Sequence, residues 1–317
     1  MTIDRQASVY VAGHRGMVGS AIMRRLEALG FTDIITRTHS DLDLREQADV
    51  RTFFAKAKPR YVFLAAARVG GIHANNTYRA DFIRENLEVQ TNVIDSAYRS
   101  GTDKLLFLGS SCIYPREAPQ PMREEYFLTG RLEPTNEPYA IAKIAGIKMC
   151  ESYRYQYGFN AISIMPTNLY GPGDNFDLEN SHMLPALIRK FHEAKSVNAP
   201  SVDVWGTGTP QRELMHVDDM ADACLFLMDH YDDEGIVNAG LGSDATIKEI
   251  AETVGRVTGY TGRIEFDTTR PDGMRRKLLD VTKINGLGWQ AKTNLEDGIR
   301  STYRWYLETH SSAPGAV

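Results

Sequence analysis

The most constraining stretch of this chain lies near its start. Val9–Ala12 is a short apolar run, Gly13-His14-Arg15-Gly16-Met17-Val18-Gly19 follows directly, and a helical pattern over Ser20–Leu29 ends at Gly30. A strand, a G-x-x-G-x-x-G turn and a helix together predict one backbone shape. The glycines permit a tight turn, a close approach of main chain to a diphosphate and tight helix–strand packing. The helix N-terminus adds its attraction for the anion. Glycines at this spacing say little alone; the preceding strand and following helix give them meaning. The expected ligand of Gly13, His14, Arg15, Gly16, Met17, Val18 and Gly19 is a dinucleotide.

The same alternation continues through the first half. Ile34–Thr36 reads as a strand, Arg45–Lys56 as a helix ending before Pro59, and Tyr61–Ala66 as a buried strand. A helix over Asp81–Arg99, a strand at Leu105–Leu108, a helix over Tyr139–Tyr157 and a strand at Ala161–Met165 follow. Apolar strands separated by helices predict an α/β fold, a doubly wound parallel Rossmann sheet covered on both faces. After Pro166 the rhythm changes at Gly171-Pro172-Gly173, Pro185 and Asn198-Ala199-Pro200. Thr246-Ile247-Lys248-Glu249 is a capping box opening a helix to about Val257, and Leu295–Glu308 predicts another. The expected division is a dinucleotide-binding Rossmann domain at 1–170, completed by about 212–240. Residues 171–211 and 241–317 then form a smaller C-terminal α/β substrate-binding lobe, with Ser311–Val317 as a loose tail.

Several function classes are disfavoured. A chain of 317 residues can bury a large core without staples, and a net charge of −5 gives no sign of a nucleic-acid partner. The apolar run Tyr61–Ala67 is far short of the ~20 residues that span a bilayer. Met1-Thr2-Ile3-Asp4-Arg5 lacks the apolar core of a signal peptide. Cys112, Cys150 and Cys224, with no close pairing, suggest a reduced compartment, and the expectation is a cytoplasmic protein with no membrane partner. The histidines show no metal-ligand spacing, so no metal is expected.

Where NAD-binding chains of this kind carry an acid after the second strand, this one has Thr36-Arg37-Thr38-His39-Ser40, with no acid until Asp41. Arg15, Arg37 and His39 suit a 2′-phosphate, which predicts NADP(H); ordinary solvated charges are the plainer alternative. Asp43-Leu44 is placed beside the adenine. Tyr139 and Lys143 form Tyr-x-x-x-Lys near the start of the long helix, where Pro138 suits the first turn. Their i, i+4 spacing shares one face, and an ammonium beside a phenol is expected to lower its pKa. Leu108-Gly109-Ser110-Ser111-Cys112 ends a strand at the edge facing a ligand. Ser110, Tyr139 and Lys143 together can polarise a carbonyl and supply a proton as hydride arrives.

These residues resemble the extended type of the short-chain dehydrogenase/reductase superfamily, as do Arg212–Asp219 (RELMHVDD) and Asn238-Ala239-Gly240. The likeness is closest to its branch acting on GDP-linked 4-keto-6-deoxy sugars. It rests on AGHRGMVG from Ala12, VGGIHANNTY from Val69, LLFLGSSCIYP from Leu105 and LEPTNEPYAIAKIAG from Leu132. MPTNLYGPG from Met165, WGTGTPQRELMHVDD from Trp205 and PDGMRRKLLD from Pro271 extend it over nearly the whole chain.

The resemblance implies conversion of GDP-4-dehydro-6-deoxy-D-mannose to GDP-L-fucose by epimerisation at C3 and C5 and NADPH-dependent reduction at C4. Ser110, Tyr139 and Lys143 match the reducing residues; Cys112 and His182 match an epimerising base and acid. Thiol and imidazole pKa values lie near working pH. Ser110 and Cys112, two apart, would face the same way on extended backbone. From its residues alone, Cys112 reads more often as a small buried hydrophobe, and His182 as a loop or helix-cap histidine. Leu108, Gly109, Ser111 and Lys143 are carried over as cofactor contacts. Pro166, Thr167, Asn168 and Leu169 line the nicotinamide, and His182 is also carried over as a cofactor contact. Lys190, Trp205, Arg212 and Asp272 correspond to substrate-binding positions, with Arg212 on the diphosphate and Trp205 stacking or packing. Lys190 stands where the branch often has Arg. Met274-Arg275 replaces its Thr-Pro, while Lys277 stays available for phosphate. A homodimer through Asp81–Arg99 and Tyr139–Tyr157 is implied as well.

Two other readings compete. A 4,6-dehydratase of this type carries an acidic pair where Ser111-Cys112 stand, and a 4-epimerase holds NAD, which Arg37 disfavours. A non-catalytic NADP sensor usually lacks the Tyr or the Lys, and both are present.

Overall fold

The computed structural model describes residues 3–178, 181–270 and 272–310, so the expected tail at Ser311–Val317 lies outside the described residues. Six strands form the main sheet: β1 (Val9–Ala12), β2 (Ile34–Ile35), β3 (Tyr61–Leu64), β4 (Lys104–Leu108), β5 (Ala161–Pro166) and β6 (Ile236–Ala239). They lie in the order β6-β5-β4-β3-β1-β2, every neighbouring pair parallel. All but the two-residue β2 are buried at every position. That burial on both faces explains why these strands read as continuous apolar runs. The chain leaves β1 for β2 on one side, then crosses back to β3 on the other. The crevice at the carboxyl ends of β1 and β3 is thus the switch point where ligands of such sheets bind.

Alternate residues of β1 feed different layers. Val9 and Val11 join Ile22, Leu26, Phe63, Leu106, Met220 and Leu227 under the Met17–Ala28 and Val217–His230 helices. Tyr10 and Ala12 face Phe54, Leu64, Val93, Phe107 and Ile147 under the Gln47–Ala57, Arg79–Ser100 and Glu137–Tyr157 helices. Each such large side chain contributes about 1.5–3 kcal/mol by leaving water. A third core gathers Leu184, Phe191, Val204, Ile250, Val254 and Ile299. There Ser201–Trp205 pairs with Arg263–Asp267, and Gln211–Arg212 lies between Ala245–Thr246 and Arg276–Lys277. Asn168–Tyr170 pairs with Leu214–His216, tying the end of β5 to the return of the chain from that core.

Element ends differ from expectation for local reasons. The first helix begins at Met17 rather than Ser20, because Met17, Val18 and Gly19 at the end of the loop already wind helically. β3 stops at Leu64 rather than Ala66, where the chain turns past Gly13. The long helix starts at Glu137, which puts Pro138 in its first turn as expected. The short Ile72–Thr77 helix was not foreseen. The capping box is present: Thr246 and Glu249 each accept the other's backbone N–H, and the helix runs Ile247–Thr258. Among the described residues no helix is long and apolar enough to cross a membrane, and no His, Cys, Asp and Glu group is arranged to hold a metal ion.

Candidate active site

The turn after β1 is cut to fit a diphosphate. Gly13 has φ +86°, and a Cβ there would meet the Ala66 amide nitrogen at 2.7 Å. A Cβ on Gly19 would lie 2.1 Å from the Gly13 carbonyl oxygen. Neither position tolerates a side chain, so the helix packs directly on the loop. Gly16 caps the Met17–Ala28 helix with no side-chain hydrogen bond, leaving the first-turn amides to a ligand. The loop therefore fits the diphosphate of a dinucleotide, with His14, Met17 and Val18 half-buried around it and Arg15 exposed.

At the end of β2, Arg15 and Arg37 both act on the exposed Asp41 carboxylate, which two Thr38 hydrogen bonds hold below the usual carboxylate range. Both guanidinium groups thus lie near the same carboxylate. Arg37 also lies over the Phe53 ring, 5.1 Å from its centroid. His39 leans instead toward Asp43, at 3.8 Å. Leu44 is half-buried, its carbonyl accepting the Asn92 amide at 3.0 Å.

The reactive groups gather at the end of β4. Lys143 is 3% exposed, and its ammonium donates to the Leu108 carbonyl at 2.7 Å. It lies 4.8 Å from the Phe107 ring centroid and 5.8 Å from that of Tyr139. Burial brings the Lys143 pKa down to about 8. The expected lowering of the Tyr139 phenol is corrected: burial, with the Cys112 sulfur nearby, pushes it well above 10. The Ser110 hydroxyl faces the phenol and opposes that rise.

A second correction concerns Ser110 and Cys112. Ser110 is extended, but Ser111–Ile113 forms a 3-10 turn, so the two are not on one straight strand. They meet because the Ser110 hydroxyl accepts the Cys112 N–H at 3.3 Å and also reaches the thiol. Burial raises the Cys112 thiol; the Lys277 and Lys143 ammonium groups pull it back. Cys150 and Cys224, by contrast, are buried in helices, as expected. His182 caps the Met183–Ser196 helix without a side-chain bond, and burial and Lys277 hold its imidazole below its ordinary pKa.

Around this centre, Gly109 passes so close to Met165 that a Cβ would touch its methyl at 2.2 Å. Ser111 is buried, and Pro166 ends β5. Thr167 and Asn168 both donate side-chain bonds to the Glu213 carbonyl, and Leu169 is half-buried. Arg212 uses Nη1 on the carbonyls of Gln211 and Met274, at 2.7 and 2.6 Å. The unusual Met274-Arg275 pair thus joins the neighbouring strand by main chain, since the Arg275 carbonyl accepts the Gln211 N–H at 2.9 Å. Trp205 is 59% exposed between Lys190 at 5.2 Å and Arg270 at 4.9 Å from its ring centroid. Asp272 holds Thr207 through both carboxylate oxygens.

Three residues had gone unnoticed in the sequence: Phe107 under the lysine, Arg270 over Trp205, and Glu213. Glu213 is fully buried and accepts backbone N–H groups of Gly242 and Leu279 at 2.8 and 2.9 Å. A lone acid before the apolar run Leu214-Met215 was the signal available.

The chain belongs to the NAD dependent epimerase/dehydratase family, whose profile matches residues 9–240. Within that family it is 54% identical to the GDP-L-fucose synthase of Escherichia coli, over 97% of this chain and 98% of that protein. It is 61% identical to GDP-L-fucose synthase 1 of Arabidopsis thaliana, over 96% and 94% respectively. A GDP-L-fucose synthetase structure from Naegleria fowleri bound to NADP superposes with a TM-score of 0.91. It covers 99% of this chain and 96% of that one at 28% identity.

Proposed function

We propose that this chain is an NADP(H)-dependent oxidoreductase that epimerises C3 and C5 of GDP-4-dehydro-6-deoxy-D-mannose and reduces C4, forming GDP-L-fucose. The observation that carries the reading is the Ser110 hydroxyl, which faces both the Tyr139 phenol and the Cys112 thiol. Reduction and epimerisation thus share one point at the end of β4. The ketone at C4 acidifies both neighbouring carbons, so one pocket serves all three steps.

NADPH, when bound, supplies hydride to C4. Ser110 and Tyr139 hold the C4 oxygen, and Tyr139 gives it a proton. Lys143 fixes the end of β4 through Leu108 and supplies positive charge beneath the phenol. Cys112 takes the proton from the carbon beside the ketone, and His182 returns one on the other face. Gly13–Gly19 hold the cofactor diphosphate, Arg15 and Arg37 its 2′-phosphate. Leu44, Leu108, Gly109, Ser111 and Pro166–Leu169 line the rest of its groove. Arg212 takes the substrate diphosphate, with Lys190, Trp205 and Asp272 around the nucleotide or sugar. The dinucleotide domain comprises 1–170 and about 212–240, the substrate lobe 171–211 and 241–317. A cytoplasmic homodimer packed through the Arg79–Ser100 and Glu137–Tyr157 helices completes the reading.

The test follows NADPH absorbance with GDP-4-dehydro-6-deoxymannose, comparing NADH and Cys112→Ser. Rapid NADPH oxidation with GDP-L-fucose from wild type and a different sugar from the variant is expected. Folded, NADPH-binding protein that oxidises neither cofactor would overturn the reading.

A further inference from the structure

Lys277 reaches the reaction centre from a strand that had only been expected to offer it to phosphate. Arg276–Lys277 pairs in parallel with Gln211–Arg212, so Lys277 and Arg212 stand side by side in register. The strand is pinned to the dinucleotide-binding half immediately afterwards. The Leu278 N–H donates to the Gln120 side chain, the Leu278 carbonyl accepts the Met122 N–H, and Leu279 bridges to Met122. Gln120 and Met122 follow Cys112 by eight and ten residues, and Lys277 lies close enough to the thiol for each to act on the other's charge.

The obvious counter-ion for this ammonium is already committed. The Glu213 carboxylate spends its oxygens on the N–H groups of Gly242 and Leu279. Among the described residues no acceptor lies within hydrogen-bond or ion-pair distance of the Lys277 side chain. The groups that face it are Cys112, Arg212, Glu213 and His182. Cys112 in turn faces Lys277, Lys143, Ser110 and Tyr139. The half-buried ammonium therefore sits between Arg212, His182 and the Cys112 thiol with no acceptor of its own, where the charge it can meet is one that develops on the thiol.

We propose that Lys277 is the positioning residue of the epimerising pair, its ammonium stabilising the Cys112 thiolate beside the His182 imidazole. The proposal rests on the assignment of Cys112 and His182 above. In the step it assists, the thiolate forms an S–H bond as the C–H bond beside the ketone breaks. The electron pair moves to the ketone oxygen as an enolate, and His182 delivers a proton to the opposite face of that carbon. Lys277 touches neither reacting carbon; it sets how much thiolate is present at working pH.

Two readouts test it without hydride transfer. The first is the pH dependence of iodoacetamide labelling at Cys112, resolved by peptide mass spectrometry in wild type, Lys277→Met and Lys277→Arg. The second is deuterium uptake from D2O into C3 and C5 of the ketosugar, measured across pH with oxidised NADP present. Lys277→Met should move the Cys112 midpoint upward by about one unit, making labelling near pH 8 about tenfold slower. Because the same charge disfavours imidazolium, both limbs of the exchange profile should shift to higher pH, and Lys277→Arg should restore them. A folded Lys277→Met that labels and exchanges with the wild-type profile overturns the proposal. Exchange surviving in Cys112→Ser would instead overturn the underlying assignment of the thiol.

Discussion

The Lys143 ammonium bonds the Leu108 carbonyl at 2.7 Å, not the Tyr139 phenol one turn earlier on the same helix. The lysine thereby ties the long helix to the end of β4, the strand end that carries Ser110 and Cys112. Its effect on the phenol is exerted through space rather than through a shared proton.

That burial makes stability depend on pH in a defined direction. The folded group loses its proton near pH 8, whereas the unfolded chain keeps it to the ordinary value of 10.5. Between those values the unfolded chain binds more protons, so stability rises with pH across the window, by on the order of 3 kcal/mol from this group. Urea unfolding at pH 7, 8.5 and 10 should show a flatter rise in Lys143→Met than in wild type. The same variant should reduce the ketone about 10²–10⁴-fold more slowly; an unchanged rate would remove Lys143 from the reaction.

Gly19→Ala should weaken cofactor binding. The added methyl would sit 2.1 Å from the Gly13 oxygen, so the loop must open or the helix retreat. Tryptophan or nicotinamide fluorescence titration should give an NADPH Kd raised at least about tenfold, a loss of roughly 1.4 kcal/mol. Normal affinity would mean that the loop yields without harm.

Arg15→Ala and Arg37→Ala should each weaken NADPH and leave NADH almost unchanged. A charge-assisted bond to phosphate contributes about 1.5–3 kcal/mol, or roughly 10- to 150-fold in KM. Equal losses for both cofactors would place these arginines elsewhere on the nucleotide.

Glu213→Gln should destabilise the fold by about 1–3 kcal/mol, since an amide nitrogen would replace one acceptor of the Gly242 and Leu279 N–H groups. Burial raises the folded carboxyl above its ordinary value. Its ionisation cost therefore appears as pH climbs past the unfolded carboxyl value, and stability from this group falls with rising pH there. Thermal melts of wild type and variant at pH 4.5 and 7 should differ less at the higher pH; a constant gap argues against an ionised, penalised Glu213.

Local pattern was enough for the sheet and the cofactor turn. Strands buried on both faces leave apolar runs, and a diphosphate turn demands glycine where a Cβ would strike main chain, as at Gly13 and Gly19. Tyr139 and Lys143 were legible for the same reason: i, i+4 spacing acts within one helix. Their electrostatics were not, because the direction of the Tyr139 shift depends on burial and on Cys112, which arrives from another element.

What the sequence by itself determined, then, is whatever short-range geometry dictates: the alternating elements, the glycine turn, the capped helix at Thr246 and the shared helix face of Tyr139 and Lys143. Only the tertiary structure decided that Ser111–Ile113 turns so that Ser110 caps Cys112, that Glu213 is consumed by backbone amides, and that Lys277 comes beside the thiol without a counter-ion. Lys277 lies more than a hundred residues from Cys112 along the chain. Its meeting with the thiol is set by the pairing of Arg276–Lys277 with Gln211–Arg212 and the docking of Leu278 and Leu279 on Gln120 and Met122. Burial and charge act through space, and a linear pattern does not carry the distances on which they depend.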